Sequence, residues 1–490
     1  MNSKIERNRI MRIKWTKLSR VSKQSFLIVA LFLSACTTNA ATGKRQFTGL
    51  MPASNEAAIG AQEHAKVEAQ FGKFMTGPIA DYVNYVGQKI AAHTERKDVK
   101  YRFYVLDTPM VNAFALPGGY TYYSRGLLTL ANSEAELAAV IAHEIGHITG
   151  RHAAERMSKS AITGIGAAVI GATIGGAAGQ VANLGSNLYV SSHSRTQEHE
   201  SDELGVRYIA RAGYDPMAMA QFLASLDAQS KLKSGGKSSG FNYFSTHPIT
   251  ADRVQQARQE ATKYAANNHE NRAAYLTKIN GLTYGDSADA GFTKGNRFYH
   301  PKMDFTFSIP NGAKVSNQPT QVLTSHSNGT MIVFDAAKSN ASPASYLANE
   351  WLKGKATSQI ESTTINGQPA ATTAFAGTVN NKSMVIRLTA VQYAPGKYYR
   401  FQMAIPKTAS ASFVNELKDM TYSLRKMTAN EKASIKPKVL RVLVAPAGST
   451  NNSMAARMNV DGDKLRYFLV LNGMLNGQTV QVGQPYKIVM

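Results

Sequence analysis

The sequence predicts an α+β protein, mostly helical in its first part, strand-rich further on and closed by a short βααβ unit. Three observations predict it. Within residues 133–158, Leu137, Val140, Ile141, Ile145 and Ile148 recur at helical spacing and mark a buried stripe. Val111 to Gly126 reads as two short strands around the turn Pro117-Gly118-Gly119. Beyond Phe298, apolar residues alternate in short runs: Phe305 to Ile309, Thr330 to Phe334, Met384 to Val391 and Tyr398 to Ala404. With helical patterns at Ser342 to Lys355 and Ala409 to Ser423, these runs describe a mostly antiparallel sheet with helices beside it.

At 490 residues the chain is long enough for two to four domains, and its 43% hydrophobic and 18% charged composition is that of a folded protein. Its single cysteine, Cys36, excludes an internal disulfide and any cysteine-clustered metal site. A metal in this chain must use His, Asp or Glu. The net charge is +23; residues 1–35 contribute +7 of it, and the remaining +16 is still strongly basic. No dense Lys/Arg run with interleaved aromatics follows, which argues against nucleic acid. Anionic lipid headgroups or the cell wall suit the charge better.

The basic start leads into an apolar run from Ser25 to Ala35. About a dozen residues are too few for a membrane span, which needs roughly 20, but they match the apolar core of a secretory signal. Leu33-Ser34-Ala35-Cys36 resembles a bacterial lipoprotein cleavage box. That resemblance implies a lipid on Cys36. Thr37, where an Asp would signal retention at the inner membrane, implies the outer membrane, facing the periplasm.

Ser133 with Glu136 three residues later is a capping-box start for the helix. On that helix His143 and His147 stand four residues apart, so their imidazoles project from one face about a turn apart, where both can bind one Zn²⁺. Glu144 lies where a carboxylate can take a proton from metal-bound water. A hydrolytic zinc site keeps three protein ligands and an open position. The third should come from another helix, and Ser194 to Gly205 is the best candidate. There Glu198 and Asp202 share a face, one to ligate and the other to hold a ligand histidine.

His-Glu-Ile-Gly-His at 143–147, followed by Ser-Arg-x-x-Glu-x-x-Ser-Asp at 194–202, resembles the HtpX/BepA/LoiP-like bacterial zinc metallopeptidases, related to the CAAX prenyl endopeptidases. The resemblance covers roughly residues 50–295. It implies a zincin-type domain with one Zn²⁺ on His143, His147 and Glu198, with Asp202 as the supporting carboxylate. It disfavours His199 and Glu200 as ligands. Ser201 stands where the family usually has Ala. Asn112, Ala113, Phe114 and Ala115 are similar to the family's edge strand beside the cleft, to which an extended substrate can add through main-chain bonds. Thr246-His247-Pro248 with Arg253 resembles a further motif near the metal. It assigns His247 either to the oxyanion of the tetrahedral intermediate or to a fourth, resting-state zinc position. The other histidines fit no ligand spacing, and His152, nine residues past His143, is expected in solvent.

The implied activity is endopeptidase, with Glu144 as general base, on unfolded or misassembled envelope proteins. The alternative is an envelope assembly factor or chaperone, or a peptidoglycan-binding lipoprotein, with little proteolysis. The uncharged stretch from Ala161 to Leu184 reads as a lid near the cleft in preference to a membrane segment, and Lys231 to Gly240 as a surface loop. Residues 439–490 resemble a degenerate LysM module, with Gly448-Ser449-Thr450 in place of the usual Gly-Asp-Thr. Its role is either peptidoglycan binding or a structural cap. The expected organisation is a lipoprotein signal peptide at 1–35, an anchored tether at 36–54, the metallopeptidase domain at 55–285 and a linker at 286–297. An α+β accessory domain at 298–428 and the LysM-like module at 439–490 complete it.

Overall fold

The computed structural model describes residues 36–48, 51–160, 192–234, 243–248, 250–265, 269–318, 320–353, 359–379, 382–434, 436–475 and 477–490. The leader, the Gly-rich stretch 161–184 and most of the 231–240 loop lie outside the described residues, as does the Cys36 side chain expected to carry a lipid. The described chain is α+β, with several small sheets and one large one.

The first part is built around the helix Glu134–Thr149, every residue of which is buried. Ser133 caps it, its hydroxyl accepting from the Glu136 backbone N–H at 3.1 Å. Leu137, Val140, Ile141, Ile145 and Ile148 share one core with Val83, Val86 and Ile90 of the helix Pro78–Ala91 and with Leu204 and Ile209 of the helix Arg195–Arg211. The last of these helices starts in a capping box formed by Ser194 and Gln197. It crosses the central helix at small residues. A Cβ on Gly146 would lie 3.0 Å from the Ser201 carbonyl oxygen, and one on Gly205 would lie 3.3 Å from the His143 nitrogen. Close backbone approach at those two points brings the faces of the two helices together.

Beside them lie β3 (Arg102–Leu106), β4 (Ala113–Leu116) and β5 (Tyr120–Ser124), in the order β3-β5-β4. β4 is therefore an edge, antiparallel to β5, with Pro117–Gly119 turning between them. The helix Ala53–Phe71 packs on that turn through Gly60, where a Cβ would meet the Pro117 oxygen at 2.0 Å. Gly60→Ala is expected to destabilise the fold by about 1–3 kcal/mol, read as a lower unfolding midpoint.

Inside the stretch expected as a tether, β1 (Cys36–Thr38) pairs with β2 (Arg45–Phe47). This hairpin docks on the end of the central helix. Asn39 Nδ2 donates to the Thr149 carbonyl at 2.8 Å, and Gln46 Nε2 to that of Gly150 at 2.7 Å.

The middle of the chain has its own core. β6 (Phe292–Lys294), β7 (Arg297–His300) and β8 (Phe305–Ser308) form one sheet, which begins inside the stretch expected as a linker. β9 (Lys314–Gln318), β10 (Gln321–Ser325), β11 (Met331–Lys338), β12 (Glu361–Ile365), β13 (Gln368–Val379), β14 (Lys382–Ala394) and β15 (Lys397–Pro406) form an antiparallel sheet, ordered β12-β13-β14-β15-β11-β10-β9. Phe413, Leu417 and Met420 of the helix Ala411–Tyr422 join Phe305, Phe307, Phe334 and Phe401 in this core. The other expected helix is shorter than its pattern: Pro343–Ser345 runs into one π-type turn, Tyr346–Trp351.

The C-terminal unit is β16 (Leu440–Val444), the helices Asn451–Ala456 and Lys464–Leu471, and β17 (Pro485–Val489), the two strands antiparallel. It is not an appendage. Phe468, Leu471, Ile488 and Val489 belong to the same core as Leu127, Leu128 and Tyr275. Lys487, fully buried, donates from Nζ to the carbonyls of Thr129, Leu130 and Ala131 at 2.9, 2.9 and 2.8 Å.

Candidate metal centre

His143 and His147, one turn apart on the central helix, aim their Nε2 atoms at a point shared with Glu198 from the crossing helix and with His247. The His143 and His147 Nε2 atoms lie 3.1 Å apart, and each is 3.3 Å from His247 Nδ1. Glu198 oxygens lie 3.0 Å from His247 Nδ1, 3.5 Å from His147 Nε2 and 3.6 Å from His143 Nε2. With Glu198 facing His247 and His147 through Oε1 and His143 through Oε2, the three ring nitrogens and the carboxylate surround one point. A tetrahedral ion with bonds of about 2.0–2.1 Å at that point would give edges of about 3.3 Å. The donor set therefore fits one tetrahedral divalent ion, and all four residues are buried.

The supports are equally specific. His143 Nδ1 lies 2.8 Å from Asp202 Oδ1. Arg253 grips Asp202 with Nε and Nη2, both at 2.8 Å, and reaches Glu198 Oε2 with Nη1 at 2.7 Å. Its helix, Ala251–Ala261, is capped by Thr250, so the guanidinium is delivered from a fixed backbone. Burial alone would raise the Asp202 carboxyl, but Arg253 and His143 hold it well below the usual carboxylate range. Burial, and then the neighbouring imidazoles, keep His147 well below the usual histidine value, hence neutral with a lone pair to offer.

Glu144 lies beside the four ligand atoms. It is wholly buried, and neither carboxylate oxygen has a hydrogen-bond partner among the described residues; Oε1 is 3.6 Å from His247 Nε2. Burial pushes its carboxyl up against the pull of His247 and His143. Such an orphaned acid is expensive in a core unless it meets a reacting group.

Of the edge-strand residues, Asn112, Ala113 and Phe114 are buried and Ala115 is partly exposed. The Phe114 ring turns away to stack on Tyr122 at 4.6 Å, while Ala115 and Leu116 line a narrow cavity with His147, Ile148 and His193. Asn112 Oδ1 is buried with no hydrogen-bond partner among the described residues. A larger cavity, about 730 Å³, lies elsewhere, between the C-terminal unit and the first part near Asn132, Arg272 and Gln478. It shares no residue with the metal centre.

Three residues at the centre escaped the sequence reading. Tyr243 stacks on His247 at 4.4 Å, and its backbone N–H is tied to the Val111 carbonyl at 3.0 Å. His193 stacks on His147 at 3.7 Å. His152, expected in solvent, is wholly buried and lies 2.8 Å from His147. The helix stops at Thr149, and Arg151, at φ 53°, turns the chain back.

Residues 80–261 match peptidase family M48. Over 197 residues the chain is 31% identical to the "Beta-barrel assembly-enhancing protease" of Yersinia pestis, covering 38% of this chain and 39% of that one. It is 30% identical over 187 residues to the "Mitochondrial metalloendopeptidase OMA1" of Schizosaccharomyces pombe, covering 37% and 53%. With the "Metalloprotease LoiP" of Escherichia coli strain K12 it shares 32% identity over 164 residues, covering 33% and 62%. The chain thus spans less than two thirds of the length of each of these relatives. The four clustered side chains and their supports all fall within the stretch that matches peptidase family M48.

Proposed function

We propose that this chain is a zinc-dependent endopeptidase that hydrolyses peptide bonds of misassembled or unfolded envelope proteins. The observation that carries the reading is the buried cluster of His143, His147, Glu198 and His247, with Glu144 beside it and without a hydrogen-bond partner among the described residues. Zinc bound there would supply Lewis acidity to the scissile carbonyl and to the attacking water. Glu144 takes the proton from that water and returns it to the leaving amine. Asp202, locked by Arg253, holds His143 in its ligating orientation. His247 would hold a bound ion together with His143, His147 and Glu198 in a resting state, and by turning aside it would free a position for substrate. Asn112 to Ala115 present the edge strand to an extended peptide, which adds to β4 through main-chain bonds.

The envelope address rests on the Leu33-Ser34-Ala35-Cys36 box. We place the protein at the outer membrane, facing the periplasm, with a lipid on Cys36. No described helix is long and apolar enough to cross a membrane. An assembly role beside proteolysis finds support in the printed name of the Yersinia pestis relative. For residues 439–490 we favour the structural reading of the LysM-like unit over peptidoglycan binding, because Lys487 and the apolar side chains beside it are spent on the first part of the chain.

Casein digestion with and without a chelator tests the enzyme reading. Cleavage should stop when the chelator is added and return on supplying zinc. Cleavage indifferent to the chelator removes the metalloprotease assignment.

A further inference from the structure

A ligand histidine is oriented by the hydrogen bond at its other ring nitrogen. His143 has a carboxylate there, Asp202. His147 does not. Its Nδ1 lies 2.8 Å from Nδ1 of His152, whose Nε2 lies 3.3 Å from Glu200 Oε2. All three side chains are buried. One requirement fixes the protons along this chain. To offer Nε2 to a metal, His147 must carry its proton on Nδ1 and donate it towards His152 Nδ1. His152 then accepts at Nδ1, carries its own proton on Nε2, and donates to Glu200.

We propose that His152 and Glu200 form a positioning relay that fixes the tautomer and ring plane of His147 for metal binding. It rests on the metal centre proposed above. The backbone is shaped for it. Gly150 has no room for a side chain, because a Cβ there would lie 2.5 Å from His152 Nε2. Arg151 is kept in its left-handed conformation by bonds from its guanidinium to Glu56 at 2.7 Å, Thr48 Oγ1 at 3.1 Å and the Met51 carbonyl at 2.7 Å. The outer end of the relay faces the N-terminal hairpin, where Lys44 Nζ lies 3.7 Å from Glu200 Oε1.

A competing use of the same atoms is a second metal site, since nitrogens of His147, His152 and His193 lie within 4.8 Å of one another. The 2.8 Å between the two Nδ1 atoms favours the relay. It is a hydrogen-bond distance, shorter than the edge of about 3.3 Å between two ligands of one zinc ion.

The test uses the full chain, with zinc affinity measured by competition against a chromophoric chelator and histidine tautomers read from ¹⁵N chemical shifts. His152→Ala should weaken zinc binding about 10- to 100-fold. His152→Asn, whose amide oxygen can stand near the lost Nδ1 acceptor, should recover most of that loss. In metal-free wild-type protein His147 should carry its proton on Nδ1, and that preference should fade in His152→Ala. Unchanged zinc affinity in His152→Ala, a proton on His147 Nε2, or two zinc ions per chain with one lost in His152→Ala would each overturn the relay. Should His152→Ala fail to fold, His152→Asn and the wild-type tautomer still decide it. A wild-type chain that binds no zinc would instead sink the metalloprotease reading, and the tautomer measurement would still judge the relay by itself.

Discussion

Glu144→Gln is expected to keep its zinc and to lose cleavage by about 10²- to 10⁴-fold, the range removed with a general base. Gln has almost the shape of Glu, and the carboxylate makes no hydrogen bond among the described residues that the amide would forfeit. The substitution therefore leaves the packing around His143 and His147 intact and removes only the capacity to accept a proton. Because burial already disfavours a charge at this position, the amide should if anything stabilise the resting fold. Metal analysis alongside the casein assay checks both halves. Wild-type turnover by this variant would refute the role given to Glu144, and loss of zinc would move Glu144 into the structural support of the ligands.

Lys487→Met is expected to cost about 3–5 kcal/mol, the usual penalty for breaking a buried charge arrangement by removing one partner. The ammonium has three donors, and three backbone carbonyls take them. Those carbonyls belong to the last turn and the C-cap of the helix Arg125–Leu130, where a positive charge also suits the helix dipole. Met fills much of the same volume but offers no donor, so the Thr129 and Ala131 carbonyls lose the Lys487 bond and that of Leu130 keeps only Asn132 Nδ2, at 3.2 Å. Urea unfolding followed by circular dichroism should show the midpoint falling, with the first part of the chain affected as much as the C-terminal unit. Unfolding confined to the C-terminal unit would mean that the two do not share a core.

Much of the metal centre was legible because it is local. His143, Glu144 and His147 follow from helical spacing, and Ser133 with Glu136 gave the start of their helix. Glu198 and Asp202 could be narrowed to one segment by chemistry, but choosing between them needed the family resemblance, since nothing in the spacing says which face of a second helix meets the first. The meeting depends on Gly146, Ser201 and Gly205, whose smallness matters only once the helices cross. His152 was misread because a left-handed residue at Arg151 cannot be seen in a periodic pattern. Lys487 was equally opaque. In Tyr486-Lys487-Ile488-Val489 strand alternation sends a lysine to solvent, but β17 is covered on both faces, so burial no longer follows the alternation.

The docking of the N-terminal hairpin sets a working distance. Asn39 stands three residues after Cys36, and its side chain is already bonded to the end of the helix that bears His143 and His147. Three extended residues reach about 10 Å at most. If the cysteine is held in a lipid leaflet, the domain cannot swing out on a long leash to sample the compartment. It grazes the bilayer, and the peptide bonds within its compass are those that surface close to the headgroups.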